Sequence, residues 1–246
     1  MMGINQRAPD LHALQPDPLE PRAEEVERYV AALQDLAGFD PDLAGRQAWR
    51  QIRLAGMRAG QRRSEALDSL NRIFRLATVP EPSPDGPYDG LVVTTTTFAA
   101  ADPLFRVLLS LWMPWLGKRF DFKTKSGDNM MLPSARVPAK VFWPNYRFQA
   151  IDEGRYSAFR FRSYAGAGTL DPDRQVLKID YDWAENPSFL IRDILDELVQ
   201  IVPDVYLGKV LLRFGKTSRQ SRRLVAYFAL RPAAPDGSVS SPAEHP

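Results

Sequence analysis

Leu91-Val92-Val93-Thr94-Thr95-Thr96-Thr97-Phe98 is the stretch that decides the fold class. Six of its eight residues are β-branched. Such side chains are stiff at χ1, crowd a helical turn and pack well on a pleated surface. The run predicts a β-strand. Downstream, Lys118 to Lys125 alternates Arg119, Asp121 and Lys123 against Phe120 and Phe122. Gly127-Asp128-Asn129 has turn chemistry and leads to a strand near Met130 to Ser134. Further strands are predicted over Ala139 to Ile151 (broken near Pro144), Tyr156 to Tyr164, Val176 to Tyr181, Val205 to Phe214 and Leu224 to Leu230.

Two helices are predicted inside this β-rich body. Asp102 to Trp115 has Asp102 as N-cap and Pro103 at the first position. Ser188 caps a second, whose buried side is Leu190, Ile191, Ile194, Leu195, Leu198 and Ile201. About eight short strands at close spacing argue for a sandwich or a closed barrel.

Upstream lies a boundary, where Pro80, Pro82, Pro84, Gly86 and Pro87 make a linker. Before it, Val26, Tyr29, Val30, Leu33 and Leu36 keep helical spacing, and Gly38 ends that helix. A second helix begins after Asp40 with Pro41 in its first turn, and a third spans Ser64 to Ala77. The expected organisation is a flexible lead (1–18), a helical segment (19–79), the linker (80–87), the β domain (88–230) and a disordered tail (231–246).

Composition narrows the chemistry. The chain has 246 residues, 44% hydrophobic and 25% charged, with 32 basic against 30 acidic residues and a net charge of +2. That balance is not a general nucleic-acid binder's, which would concentrate basic charge on one face. The absence of cysteine removes disulfides, thiolate nucleophiles and cysteine-ligated metals. The two histidines, His12 and His245, fall in the expected tails, so no histidine base, triad or histidine metal site is expected. We therefore expect no metal and no cofactor. Met1 to Pro21 lacks the apolar core of a secretory signal. The longest apolar run, Val107 to Trp115, is shorter than the roughly 20 residues a membrane span needs. A cytoplasmic protein is expected, with its oligomeric state open.

Several residues are candidates for a site. Trp112, Trp115 and Lys118 surround Pro114 and Gly117; they could wall a pocket and meet an anionic group, or pack a helix end into the body. Lys178, Asp180 and Asp182 share one strand face. Facing inward, Asp180 and Asp182 could do acid–base work; charged side chains are rarely buried, which favours a solvated face. Arg160 and Arg162 carry the same ambiguity. The strand holding Tyr206, Lys209 and Arg213 is apolar on both faces, so it should be covered on each side. Lys209 and Arg213 could neutralise a ligand carboxylate, or pair with Asp193, Asp196 or Glu197. Gly166-Ala167-Gly168 reads as a turn. Arg46, Arg50 and Arg53 lie near one side of the second helix and with Arg58, Arg62 and Arg63 make a basic patch that could meet an anionic surface or nucleic acid, or pair with acids elsewhere.

The opening Tyr88-Asp89-Gly90, the run of antiparallel strands and a helix before the closing strands resemble the lipocalin-like group of β-barrels over Tyr88 to Leu230. The Gly-x-Trp signature is replaced here by Gly90-Leu91-Val92, and no ligand residue is carried over. With the strand and helix readings above, the expected fold is α+β, mainly β: a lipocalin-like antiparallel barrel of about eight strands with two inserted helices, and an N-terminal helical segment that is foreign to a minimal lipocalin. The resemblance also implies binding of a small hydrophobic or amphipathic molecule in the barrel. The candidate contacts, read from the segments above and not from the resemblance, are Trp112, Trp115, Lys118, Arg160, Tyr206, Lys209 and Arg213. Two alternatives stand beside this: a cofactor-independent cyclase or isomerase using the same cavity, and an interaction protein using the basic helix.

Overall fold

The structure is a computed structural model, and it describes residues 23–96, 114–213 and 222–234. Its first part is helical. Helix α1 (Ala23–Ala37) buries Val26, Tyr29, Val30, Leu33 and Leu36. Helix α2 (Pro41–Arg58) starts where Asp40 accepts a hydrogen bond from the Leu43 amide at 2.9 Å, and Pro41 sets the first turn. Its buried stripe is Ala44, Ala48, Ile52 and Ala55, small residues that permit close packing. Helix α3 (Arg63–Leu76) buries Ala66, Leu70, Ile73 and Phe74.

Nine strands follow: β1 (Gly86–Thr95), β2 (Trp115–Asp121), β3 (Ser126–Met131), β4 (Gln149–Ala150), β5 (Tyr156–Ala167), β6 (Gln175–Asp180), β7 (Ile194–Val202), β8 (Val205–Arg213) and β9 (Arg222–Pro232). All pairings are antiparallel. Strand β1 pairs with both β2 and β9, and β3 pairs with β5, so eight strands close into a barrel. The two-residue β4 only flanks the start of β5. The α+β barrel read from the sequence is the observed fold, and its architecture is compatible with a lipocalin-like one. No helix among the described residues is long and apolar enough to cross a membrane.

Four local readings are corrected. Ser188 to Ile201 is not a helix: a 3-10 turn (Ile191–Asp193) precedes strand β7. Both faces of β7 are buried, so its apolar residues lose the alternation that marks a strand and mimic a helical stripe. Ala139 to Ile151 is a strand only at Gln149–Ala150 (β4); its first part is helical, where a 3-10 turn (Pro133–Ala135) runs into helix α4 (Arg136–Phe142) and Ala139 packs into the barrel core. Gly127-Asp128-Asn129 lies inside β3, and the turn sits earlier, around Lys125 at φ 49°. Trp115 opens β2; the rest of the expected Asp102–Trp115 helix, Trp112 included, lies outside the described residues except Pro114.

Two hydrophobic cores share the barrel wall. The inner one holds Tyr88, Phe120, Met131, Phe161, Leu177, Ile179, Tyr181, Leu198, Tyr206 and Phe228 among others. The outer one joins α1, α2 and α3 to Val93, Val176, Val199, Ile201, Val205, Leu207, Tyr227 and Ala229. At Gly56 helix α2 comes so close to β1 that a Cβ would stand 2.5 Å from the Val93 carbonyl oxygen. A polar knot fastens α3 to the same wall. The Lys209 ammonium, 1% exposed, donates to Asp171 at 2.6 Å and Asn71 at 2.7 Å, and lies 4.2 Å from the Phe74 ring centroid. Arg75 on α3 pairs with the same Asp171 and with Asp173.

Truncating Asp171 to Ala should cost about 3–5 kcal/mol in urea denaturation, because the Lys209 charge loses its buried carboxylate. Burial pushes the Asp171 carboxyl up, but hydrogen bonds from Lys209 and Arg75 outweigh it and hold the group below the usual carboxylate range. Its contribution to stability is therefore complete above about pH 3.9 and is lost as pH falls through the lower folded value. An Asp171→Asn variant should lack this acid limb of the stability curve. Deleting Met1 to Ala77 uncovers Val199, Ile201, Leu207 and Tyr227. That truncated chain should bind a hydrophobic dye and aggregate, not give a folded barrel.

Candidate functional site

Inside the barrel lies a cavity of about 70 Å³, and among its lining residues are Trp115, Lys118, Asn129, Phe159, Tyr181 and Asp196. The chain brings them together through one irregularity. Strand β2 shifts register between Trp115 and Gly117, so Trp115 and Lys118, three residues apart, both reach the interior. Gly117 takes φ 149°, and a Cβ there would stand 1.9 Å from the Tyr88 carbonyl oxygen, so only glycine fits the bulge. Lys118 then lies directly across from Asn129 on β3. Asp196 comes from β7, with the inward parity of Ile194 and Leu198. Tyr181 follows β6 with the inward parity of Leu177 and Ile179.

Lys118 is 2% exposed. Its ammonium donates to Asp196 Oδ2 at 2.9 Å, to Asn129 Oδ1 at 3.1 Å and to the Tyr181 hydroxyl. Three donors thus meet three acceptors, which exhausts the ammonium. Four rings stand 5.1–5.5 Å from the same nitrogen: Trp115, Phe161, Tyr181 and Phe228. The Tyr181 hydroxyl donates on to Asp196 Oδ2 at 3.1 Å. Trp115 Nε1 donates to Asn129 Oδ1 at 3.1 Å, and Asn129 Nδ2 donates to the Phe159 carbonyl at 3.2 Å. One valence is left over. Asp196 Oδ1 is buried and has no hydrogen-bond partner among the described residues. A buried acceptor left unmet costs about 1–3 kcal/mol, so the site presents an open demand for a donor.

Burial pushes the Lys118 ammonium down and the Asp196 carboxyl up, and the opposite charge of each works against the other's shift. Burial, reinforced by the Asp196 charge, pushes the Tyr181 phenol well up, so Tyr181 stays protonated. Phe159, beside the cluster, holds a positive φ of 53°. Tyr146 fixes it there: the two rings stack at 5.1 Å and the Phe159 amide donates to the Tyr146 hydroxyl at 2.6 Å. The rest of the interior is filled by aromatic contacts running Tyr206–Tyr88–Phe120–Phe161–Tyr181.

The candidates named from the sequence fall in different places. Trp115 and Lys118 line the cavity, while Trp112 lies outside the described residues. Tyr206 is inside the barrel against Tyr88, away from the polar cluster. Lys209 is on the outer wall beneath α3. Arg213 pairs with Asp193, one of the partners proposed for it. Arg160 is exposed and stacks over Trp183 at 4.7 Å, with Arg162 beside it on that ring at 4.8 Å. Asp180 caps the Asp182 amide, and Asp182 pairs with Arg192 at 2.7 Å, both away from the cavity. The polar residues missed were Asn129, Tyr181 and Asp196. Asn129 was hidden by a supposed turn and Asp196 by a supposed helix, while Tyr181 lies on the strand face opposite Asp180 and Asp182, the face weighed for chemistry. The inward parity of Asp196 with Ile194 and Leu198 was the available signal. Among the described residues no group of three or more His, Cys, Asp or Glu could hold a metal ion.

No family model matches the chain, and no curated protein matches it. A solved structure described as a crystal structure of a protein from Thermomonospora curvata is similar over 73% of this chain and 99% of that one. The identity is 18% and the TM-score 0.39, and no functional reading follows from it.

Replacing Lys118 by Met leaves Asp196 buried without its counter-charge, a loss of about 3–5 kcal/mol at neutral pH. The carboxyl, already raised, rises further in this variant. A raised folded value favours the protonated folded form, so the deficit should shrink as pH falls through that raised value and be smallest once pH reaches the ordinary carboxyl value of about 4. Thermal melts across pH check the sign, and Lys118→Met with Asp196→Leu together should recover much of the loss.

Proposed function

We propose that the barrel binds a compact amphipathic molecule: an apolar body held among Trp115, Phe159, Ile194 and Phe228, and a hydroxyl, amide or amine end that donates a hydrogen bond to Asp196. The observation that carries this reading is the unpartnered Asp196 Oδ1 on a residue lining an apolar cavity. The mode is lipocalin-like, since an eight-stranded barrel is just wide enough to hold one small ligand or to fill with side chains. At about 70 Å³ the cavity is far below the 300–1,000 Å³ of drug-sized sites, which restricts the ligand to a compact one or to the head of a longer one.

One observation favours a second reading. Lys118, Tyr181 and Asp196 carry shifted proton affinities in one cavity, a feature of active sites. In a cofactor-independent isomerase or cyclase, Asp196 Oδ1 would accept a substrate proton while Lys118 and Tyr181 hold Oδ2. Turnover of the bound compound by the unmodified protein, lost in Asp196→Asn, separates catalysis from carriage.

Solvent extraction of the purified protein followed by mass spectrometry should recover one compact amphipathic species in near-stoichiometric amount. Ala226→Phe fills the cavity without touching the polar cluster and should abolish its retention. Asp196→Asn should weaken binding by roughly tenfold, the value of one hydrogen bond to a charged group. An empty protein whose melting temperature no amphipath raises would overturn the reading.

A further inference from the structure

A second concavity lies on the outside of the molecule, between α2 and the β8 and β9 ends of the wall. It measures about 590 Å³, within the size range of small-molecule sites. Arg46, Arg50, Arg53 and Arg231 line it, with Trp49, Asp42 and Asp204. Arg46, Arg50 and Arg53 follow one another at successive turns on the side of α2 opposite its buried alanine stripe, and all three are exposed. Arg231 reaches in from β9 and stacks over Trp49 at 4.7 Å. Among the described residues, the side chains of Arg46, Arg50 and Arg53 form no ion pair or hydrogen bond.

Like charges at this spacing repel by a few tenths of a kcal/mol per pair. The chain carries a standing electrostatic cost that a bound anion removes. Guanidinium groups meet phosphate oxygens in paired hydrogen bonds, and a cluster of four suits more than one anionic group. Two carboxylates at the same concavity, Asp42 and Asp204, leave a local excess of positive charge. Its concave form and its volume fit a discrete small molecule better than a broad polymer or a membrane surface.

We infer that the concavity lined by Arg46, Arg50, Arg53 and Arg231 is a binding site for a small organic anion carrying two or more phosphate groups. It is independent of the barrel cavity and of the reading given to it. The probe is pyrophosphate, titrated into the full-length protein by calorimetry and followed in parallel by thermal melting. Saturable binding with a raised melting temperature is expected. Arg50→Gln with Arg53→Gln should weaken it by roughly tenfold or more, while circular dichroism and the melt of the ligand-free protein stay native. Arg136→Gln, at an exposed arginine outside the concavity, serves as the control that should leave pyrophosphate affinity unchanged. Absence of saturable binding overturns the inference, as does binding unaltered in the double arginine variant. Two further arms use vesicles of phosphatidylcholine with phosphatidylserine, and a single-stranded RNA oligomer. Arginine-dependent binding to either of these without binding to pyrophosphate also overturns it, and assigns the face to a macromolecular partner.

Discussion

A closed sheet has an inside and an outside, and in this chain the wall formed by β7, β8 and β9 is covered on both. That double burial is the constraint everything else answers to. Inside, Leu198, Tyr206, Val210 and Phe228 face the barrel core. Outside, Val199, Leu207, Tyr227 and Ala229 meet the three front helices. Neither face can be surrendered to water without exposing a large apolar surface. The helical front is thus part of how the barrel stands, and not a separate attachment to it.

Polar groups caught in such a wall must find partners where they are. Lys209 and Asp171 do so on the outer side, where Asn71 and Arg75 complete the arrangement. Lys118, Tyr181, Asn129 and Asp196 do so on the inner side. The two clusters differ in one respect. The outer one pins a helix to a sheet and leaves its carboxylate well supplied with donors. The inner one adjoins empty space and leaves one carboxylate oxygen unmet. A polar network next to a void has room for a guest, whereas one clamped between two elements has none.

The interior aromatic rings set the size of that space. An eight-stranded barrel has room for either side chains or a small ligand, and here the rings take most of the volume. The bulge at Gly117 then does two things with one residue. It turns Lys118 inward beside Trp115, and it lets the backbone of β2 press against β1 at Tyr88. A strand without the bulge would put either Trp115 or Lys118 on the outer surface, and the polar cluster would not form.

Much of this was legible in the residues themselves. The β-branched run at Leu91, the alternations at Phe120 and Ile179, and the proline-marked break before Tyr88 state a helical front and an antiparallel barrel, because periodicity and turn chemistry are local properties. The tryptophan and lysine of the Trp115–Lys118 segment were recognisable as unusual for the same reason. What locality cannot carry is which side of a strand faces what. Ile194 to Val202 is apolar on both parities, so its helix-like stripe concealed a strand, and with it the inward Asp196. The register shift at Gly117 that sets Lys118 against Asn129 exists only once β2 has paired with β3. Helices and strands were written in neighbouring residues, while the site was made by residues as distant as Lys118 and Asp196, 78 positions apart, meeting inside a ring that exists only when the barrel is shut.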